Sequence, residues 1–327
     1  ILAGAGTSAF IGECLAPYLS ARLAARVQAI ATTDLVSAPG YYLQADVPTL
    51  MVSFGRSGNS PESVAAVDIA DRLVADIRHL VVTCNGEGEL ARRCTADAAR
   101  FHAILLPPET HDRSFAMTSS FTGMMYAALA AFLGPAAMGG RSGAIAASMR
   151  AVIAAGNGMA RDLAHAGFQR IVYLGSHGFQ GLAREAALKL LELTDGAIPA
   201  CFDSPMGFRH GPKTIVTDRT LIAIFLSNDP YTRRYDLDLL EELARDNKMG
   251  ALLAISAQPL DVPAGVRLLA VPGMGQAADI DLMFPFIAGP QMLAFHQSLV
   301  LGRAPDNPNP SGTVNRVVQG VRIHRVP

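Results

Sequence analysis

Short apolar runs alternate with helically spaced ones along most of the chain. Residues 1–4, 26–32, 49–54, 79–83 and 101–106 have the length and aliphatic content of strands buried on both faces. Between them lie segments such as 64–74, whose apolar positions recur at helical spacing. Strand alternating with helix at this rhythm predicts an α/β fold, a parallel sheet covered by helices on both sides. The pattern then repeats. Residues 171–178 echo 1–8, and Gly175 stands 171 positions after Gly4 (175 − 4). Residues 220–225 echo 49–54 at the same offset, 252–256 stand for 80–84, and 268–272 for the strand ending at Pro107. Ordered matches at a nearly constant offset predict two copies of one domain, 1–145 and 146–327. The join is expected in the Gly/Ala/Ser-rich stretch 134–143 or in the helix after it, 146–163. The Pro/Asn-rich residues 306–312 read as a loop or tail within the second half.

The loops that follow two of these strands carry the polar groups. From Ser53 to Glu62, a run of small residues separates a strand from a helix, so backbone N–H groups collect at the positive end of a helix dipole. Gly55 and Gly58 let the backbone approach a ligand, Ser57 and Ser60 add hydroxyl donors, and Arg56 adds charge. Pro61 suits the first helical turn, which makes Ser60 the N-cap. The earlier loop, Gly4-Ala-Gly-Thr-Ser-Ala9, also fits the dinucleotide fingerprint, with Asp34 placed 25 residues after Ala9 (34 − 9). Thr7 and Ser8 resemble a monophosphate cradle instead. A second hydroxyl-lined loop on a neighbouring strand favours one phosphate wrapped by both. No dinucleotide or other cofactor is expected.

Composition narrows the partners. The chain has 327 residues, 50% hydrophobic and 17% charged, enough for a large core. A net charge of −1 without long basic runs argues against nucleic acid or a membrane surface as the main partner. Four scattered cysteines without CxxC spacing read as reduced thiols, and with no signal-peptide pattern the expected location is cytoplasmic. No His/Cys/carboxylate cluster has metal-ligand spacing, so no metal is expected. The chain opens at Ile1, without Met and inside a strand-like run, so a preceding segment is expected.

The second half has lost the Ser-Gly-Asn-Ser loop, since Leu226-Ser-Asn-Asp-Pro230 stands there. It carries other chemistry. On the helix-forming stretch 181–192, Glu185, Lys189 and Glu192 fall at i, i+4 and i+7 and share one face. A solvated Glu–Lys ladder has the same spacing, but the rest of the helix is apolar or small, so these charges are expected to line a cleft. Residues 202–212 form a Gly/Pro-rich loop containing His210. His79, at a strand start, and His165, on a helix, read as surface or core residues.

Gly4-x-Gly-Thr-Ser8, Arg56-Ser-Gly-Asn-Ser60, Glu185-x-x-Leu-Lys-x-x-Glu192 and His210-Gly-Pro212 together resemble the sugar isomerase (SIS) domain proteins. The tandem arrangement is similar to the isomerase half of glucosamine-6-phosphate synthase. Residues 114–122, 204–212, 228–239 and 306–316 look closer to one branch, the AgaS-type galactosamine-6-phosphate deaminase/isomerases. The resemblance implies two flavodoxin-like αβα domains, and a homodimer whose active site takes a histidine from the other subunit. It puts a sugar phosphate on Ser8, Arg56, Ser57 and Ser60, with Thr118 and Ser119 nearby. It makes Glu192 the base for C1/C2 proton transfer, Lys189 a helper near the reacting oxygens and His210 the ring-opening acid/base. Two positions depart from the synthase: Gly55 replaces a phosphate-binding serine, and Thr313 falls roughly where a substrate-linked lysine belongs. With no glutaminase half to feed it ammonia, glucosamine synthesis is not the expected reaction.

The implied activity is deaminating isomerisation of an amino-sugar 6-phosphate, galactosamine 6-phosphate to tagatose 6-phosphate and ammonia. Two rivals stay open. A simple aldose–ketose isomerase would use the same base without the nitrogen, and a non-catalytic sugar-phosphate sensor would need only the phosphate loops. Retention of Glu192, Lys189 and His210 together disfavours the sensor.

Overall fold

The computed structural model describes residues 1–318 and 320–325. The chain divides into two compact units, Ile1–Pro135 with Asn309–Pro327, and Ala136–Pro308. The first is built from β1 (Leu2–Gly4), α1 (Thr7–Ser20), β2 (Ala29–Ala31), α2 (Thr32–Ser37), β3 (Thr49–Gly55), α3 (Pro61–Leu73), β4 (Ile77–Thr83), α4 (Glu89–Ala96), β5 (Phe101–Leu105) and α5 (Ser119–Leu133). Then follow α6 (Pro135–His165), β6 (Arg170–Gly175), α7 (Gly178–Thr194), β7 (Ala200–Asp203), α8 (Pro205–Phe208), β8 (Thr220–Phe225), α9 (Thr232–Asp246), β9 (Ala251–Ser256), β10 (Val266–Ala270) and α10 (Asp279–Val300).

All strand pairs are parallel, in the orders β2-β1-β3-β4-β5 and β7-β6-β8-β9-β10. Each copy thus runs outward from its first strand in both directions. The point where the order reverses, between the first and third strands, opens a crevice at their carboxyl ends. Both sheets sit on aliphatic cores. In the first unit Met51, Val81, Val67 and Leu35 are buried together, and in the second Ile222, Leu252, Leu239 and Leu243.

The repeat extends to single atoms. A Cβ on Gly4 would lie 2.5 Å from the Ser8 carbonyl carbon, and one on Gly175 would lie 2.5 Å from the Phe179 carbonyl oxygen. Helix and strand meet too closely there for any side chain, in both copies. The next turn is also shared. Gly6 (φ 54°, ψ −130°) and His177 (φ 43°, ψ −120°) share the same positive-φ conformation before their helices.

Two local readings change. The glycine-rich stretch 134–143 is helical from Pro135, and α6 includes Gly139, Gly140 and Gly143. Only Gly134, at φ 93°, breaks the chain between α5 and α6. A glycine in a helix costs about 1 kcal/mol relative to alanine, too little to interrupt a helix of 31 residues. The C-terminal stretch from Asn309, grouped by sequence with the second half, clusters with the first unit. Among the described residues no helix is long and apolar enough to cross a membrane.

Candidate functional site

In the first unit, Thr7 and Ser8 form the opening turn of α1 and are buried. The second loop leaves β3 at Gly55 and enters α3 through the expected cap. Ser60 accepts from the Ser63 N–H at 3.3 Å and donates to the Ser63 hydroxyl at 2.7 Å, with Pro61 in the first turn. Gly58 sits at φ 66°, which a residue with Cβ rarely adopts. Gly55 is less constrained, because a Cβ there would meet Gly58 at 3.5 Å, an ordinary contact.

This loop is braced from the β4–α4 side. Asn85 Nδ2 donates to the Ser57 carbonyl at 2.9 Å, Leu90 N to the Gly58 carbonyl at 3.1 Å, and Glu89 N to Asn59 Oδ1 at 2.8 Å. The Ser57 hydroxyl accepts from Asn59 N at 3.3 Å. Arg56 is buried, and its guanidinium donates to the carbonyls of Phe115 at 3.2 Å and Arg316 at 3.3 Å. It ties the loop to two of the branch-specific stretches.

Thr118 and Ser119 are engaged by a residue that the sequence reading missed. Asp112 accepts from Thr118 N (2.9 Å), Thr118 Oγ1 (2.8 Å), Ser119 N (2.9 Å), Ser120 N (2.9 Å) and Ser120 Oγ (2.5 Å). Its carboxylate fills the N-terminus of α5, where an anion is favoured. Burial pushes the Asp112 carboxyl up, but the hydrogen bonds from Ser120 and Thr118 outweigh it and hold the group below the usual carboxylate range. Asp112 lies six positions before Thr118 in an irregular segment, a spacing with no periodic signal.

In the second unit, α7 turns Glu185, Lys189 and Glu192 to one largely buried face. Glu185 and Lys189 are buried, and the Lys189 ammonium contacts Glu192 Oε2 directly and Glu185 Oε1 at 3.5 Å. Burial pulls the Lys189 ammonium down, yet the two carboxylates outweigh it and hold it above its usual value. Lys189 is therefore a buried cation between two carboxylates. Only Glu192 of the three side chains is partly exposed, at 23%, so it is the one a substrate can reach. The ladder is largely buried, not a solvated face.

His210 follows α8 in an exposed turn, where its N–H donates to the Gly207 carbonyl at 2.9 Å. Among the described residues no hydrogen bond or ion pair joins it to Lys189 or Glu192. A second histidine escaped the sequence reading because it occupies a glycine's position in the repeat. His177 Nδ1 accepts from Gly178 N at 2.7 Å, which leaves Nε2 to donate to Asp279 at 2.9 Å. Among the described residues no group of His, Cys, Asp and Glu is arranged to hold a metal ion.

A family model for the SIS domain matches residues 1–134. The D-galactosamine-6-phosphate deaminase AgaS of Escherichia coli is 49% identical over 325 residues, covering 99% of this chain and 84% of that protein. The D-galactosamine-6-phosphate deaminase AgaS of Shewanella sp. (strain ANA-3) is 45% identical, covering 99% of this chain and 81% of its own length. The crystal structure of tagatose-6-phosphate ketose/aldose isomerase from Escherichia coli superposes with a TM-score of 0.91 at 45% identity, covering 99% of this chain and 84% of that one. With the tandem sheets, the inward-facing charges of α7 and these whole-length matches in agreement, the chain belongs to the AgaS family of SIS-domain proteins.

Proposed function

We propose that this protein deaminates and isomerises galactosamine 6-phosphate to tagatose 6-phosphate and ammonia. The observation that carries the reading is the α7 cluster, in which a buried Lys189 neutralises one carboxylate's worth of charge and Glu192 alone is open to a ligand. The names of relatives that match almost the whole chain supply the substrate.

In this reading the phosphate is held by the first unit: the opening turn of α1 with Thr7 and Ser8, and the loop of Gly55, Arg56, Ser57, Gly58 and Ser60. Thr118 and Ser119, held by Asp112, frame the site without giving their backbone donors to phosphate. His210 opens the pyranose ring by moving a proton between the ring oxygen and the C1 hydroxyl. Glu192 takes the C2 proton and returns it at C1, passing through an enolamine to a C2 ketimine. Lys189 holds positive charge beside the reacting oxygens, and Glu185 balances that charge. Water adds to the ketimine carbon, the C–N bond breaks, and ammonia leaves with the ketose phosphate. The distant phosphate contributes binding energy to positioning at C1 and C2.

The working unit of this proposal is a cytoplasmic homodimer in which His210 serves a site containing the other copy's Glu192. Among the described residues no disulfide joins the cysteines, which is consistent with a reducing compartment. A plain ketose/aldose isomerisation uses the same base, and the similarity to the tagatose-6-phosphate ketose/aldose isomerase from Escherichia coli makes it the second reading. Ammonia release from galactosamine 6-phosphate, with glucosamine 6-phosphate and N-acetylgalactosamine 6-phosphate alongside, separates the two. Ammonia from the first sugar alone is the expected result. Ketose formation without ammonia would select the isomerase.

A further inference from the structure

The turn that presents His210 is tied at both ends to one carboxylate. Arg209 Nε donates to Glu242 Oε2 at 2.8 Å, and the Lys213 ammonium contacts Glu242 Oε1 directly. Lys213 also donates to Asp246 Oδ2 at 2.7 Å, one turn further along α9. Both oxygens of Glu242 are thus used, on cations that immediately precede and closely follow His210. The ring they close contains His210, Gly211 at φ 123° and Pro212. Proline fixes its own backbone angle, and a positive φ at Gly211 is a narrow choice, so the turn has few alternative shapes.

Packing holds this segment on either side of the turn, at Phe208 and again at Ile215 and Val216, which pack against the same cluster. Phe208 is buried in the cluster that contains Leu239, Leu240 and Leu243 of α9, and Ser204 caps α8 by accepting from Gly207 N at 3.0 Å. Beyond Phe208, the chain borders a cavity of about 410 Å³ lined by Arg209, Gly211, Lys213 and Asp246 among others. Between those anchors the exposed His210 turn has open space on that side, and the ion pairs join its own backbone hydrogen bonds in fixing it. Lys213 holds the Glu242 and Asp246 carboxyls below the usual range, so both stay charged at neutral pH.

We propose that Glu242 is a positioning residue for His210: by clamping Arg209 and Lys213 it sets the imidazole for ring opening without touching the sugar. The proposal rests on the role given to His210 above. Its test is a double-mutant cycle in the full-length protein, with turnover of galactosamine 6-phosphate measured for wild type, Glu242→Gln, His210→Ala and the double variant. Glu242→Gln is expected to lower kcat on the order of tenfold with little change in KM, because a misplaced group loses rate before it loses binding. In the His210→Ala background the same change is expected to have no further effect. Wild-type kcat in Glu242→Gln, or an equal fold-loss in both backgrounds, would overturn the positioning role while leaving His210 in place. Full activity in His210→Ala would instead remove the functional reading beneath it. If Glu242→Gln unfolds at assay temperature, Lys213→Gln enters the same cycle with the same expected and contrary results.

Discussion

The two copies of one fold treat the same crevice in opposite ways. In the first, the loops after β1 and β3 keep serine hydroxyls, and a buried guanidinium lies alongside. In the second, Ser227, Asn228 and Asp229 stand 171 positions after Arg56, Ser57 and Gly58, and the protein's own carboxylates occupy the donors. Asp236 accepts from the Ser176 hydroxyl at 2.6 Å and Ser227 N at 2.9 Å. Asp279 accepts from Asn228 N at 2.7 Å, from His177 Nε2 at 2.9 Å and from the Ser227 hydroxyl. A crevice whose donors are taken by internal anions has no place for a phosphate. In the proposed reading the first copy's loops stay open to the substrate phosphate, while the second copy's became a structural network beside α7, the helix of the proposed base.

The comparison breaks most visibly at α7. Glu192→Gln is expected to lower turnover by at least about 10³-fold while sugar-phosphate binding persists, since removing a proton-transfer base costs rate more than affinity. Steady-state kinetics with equilibrium binding on the same preparation checks it. Unchanged turnover would take Glu192 out of the mechanism.

Next in size is Asp279→Ala. Three donors lose their acceptor in a half-buried setting, and a loss of about 2–4 kcal/mol in unfolding free energy is expected by denaturant titration. Phosphate affinity should not move. Ser57→Ala should do the reverse, raising KM and weakening inorganic phosphate binding by about 1–2 kcal/mol with stability little changed. Equal phosphate affinity in Ser57→Ala and wild type would move the anion elsewhere.

A smaller effect comes from His79, buried at the start of β4 with its ring stacked on Phe101 at 4.2 Å and Nε2 3.0 Å from Asp71. Burial lowers its pKa despite the Asp71 contact. The unfolded chain then binds the proton more readily than the folded one. The contribution of neutral His79 is therefore complete above about pH 6.5 and is lost as pH falls below that value. Thermal melts should show Tm falling between pH 7 and pH 5, and His79→Gln should flatten that slope. Asp112, with its lowered pKa, adds its own loss only in more acidic solution. The smallest effect is at Tyr173, fully buried and with no hydrogen-bond partner for its hydroxyl among the described residues. Tyr173→Phe should leave stability unchanged or raise it by up to about 1 kcal/mol.

Much of this was legible in the residues. Strand periodicity and the constant offset are consequences of parallel strands buried on both faces, and they yielded the tandem fold. Ser60 and Pro61 were readable because capping chemistry is local. The face shared by Glu185, Lys189 and Glu192 was readable because helical spacing is rigid. Asp112, Asp236 and Asp279 were not, since each acts on donors from distant or irregular segments that no period connects. His177 was hidden by its role, as a positive-φ residue in a place where the first copy has Gly6. The helical course of 135–143 was missed because glycine propensity is a weak signal against a long continuous helix.

The most direct test of the division between the copies is amide hydrogen exchange with and without galactosamine 6-phosphate. Slowed exchange at residues 6–9 and 56–63, with 226–229 unchanged, is the predicted result. Protection at 226–229 with none in the first pair of loops would contradict it, and would place the phosphate in the copy whose donors are held by Asp236 and Asp279.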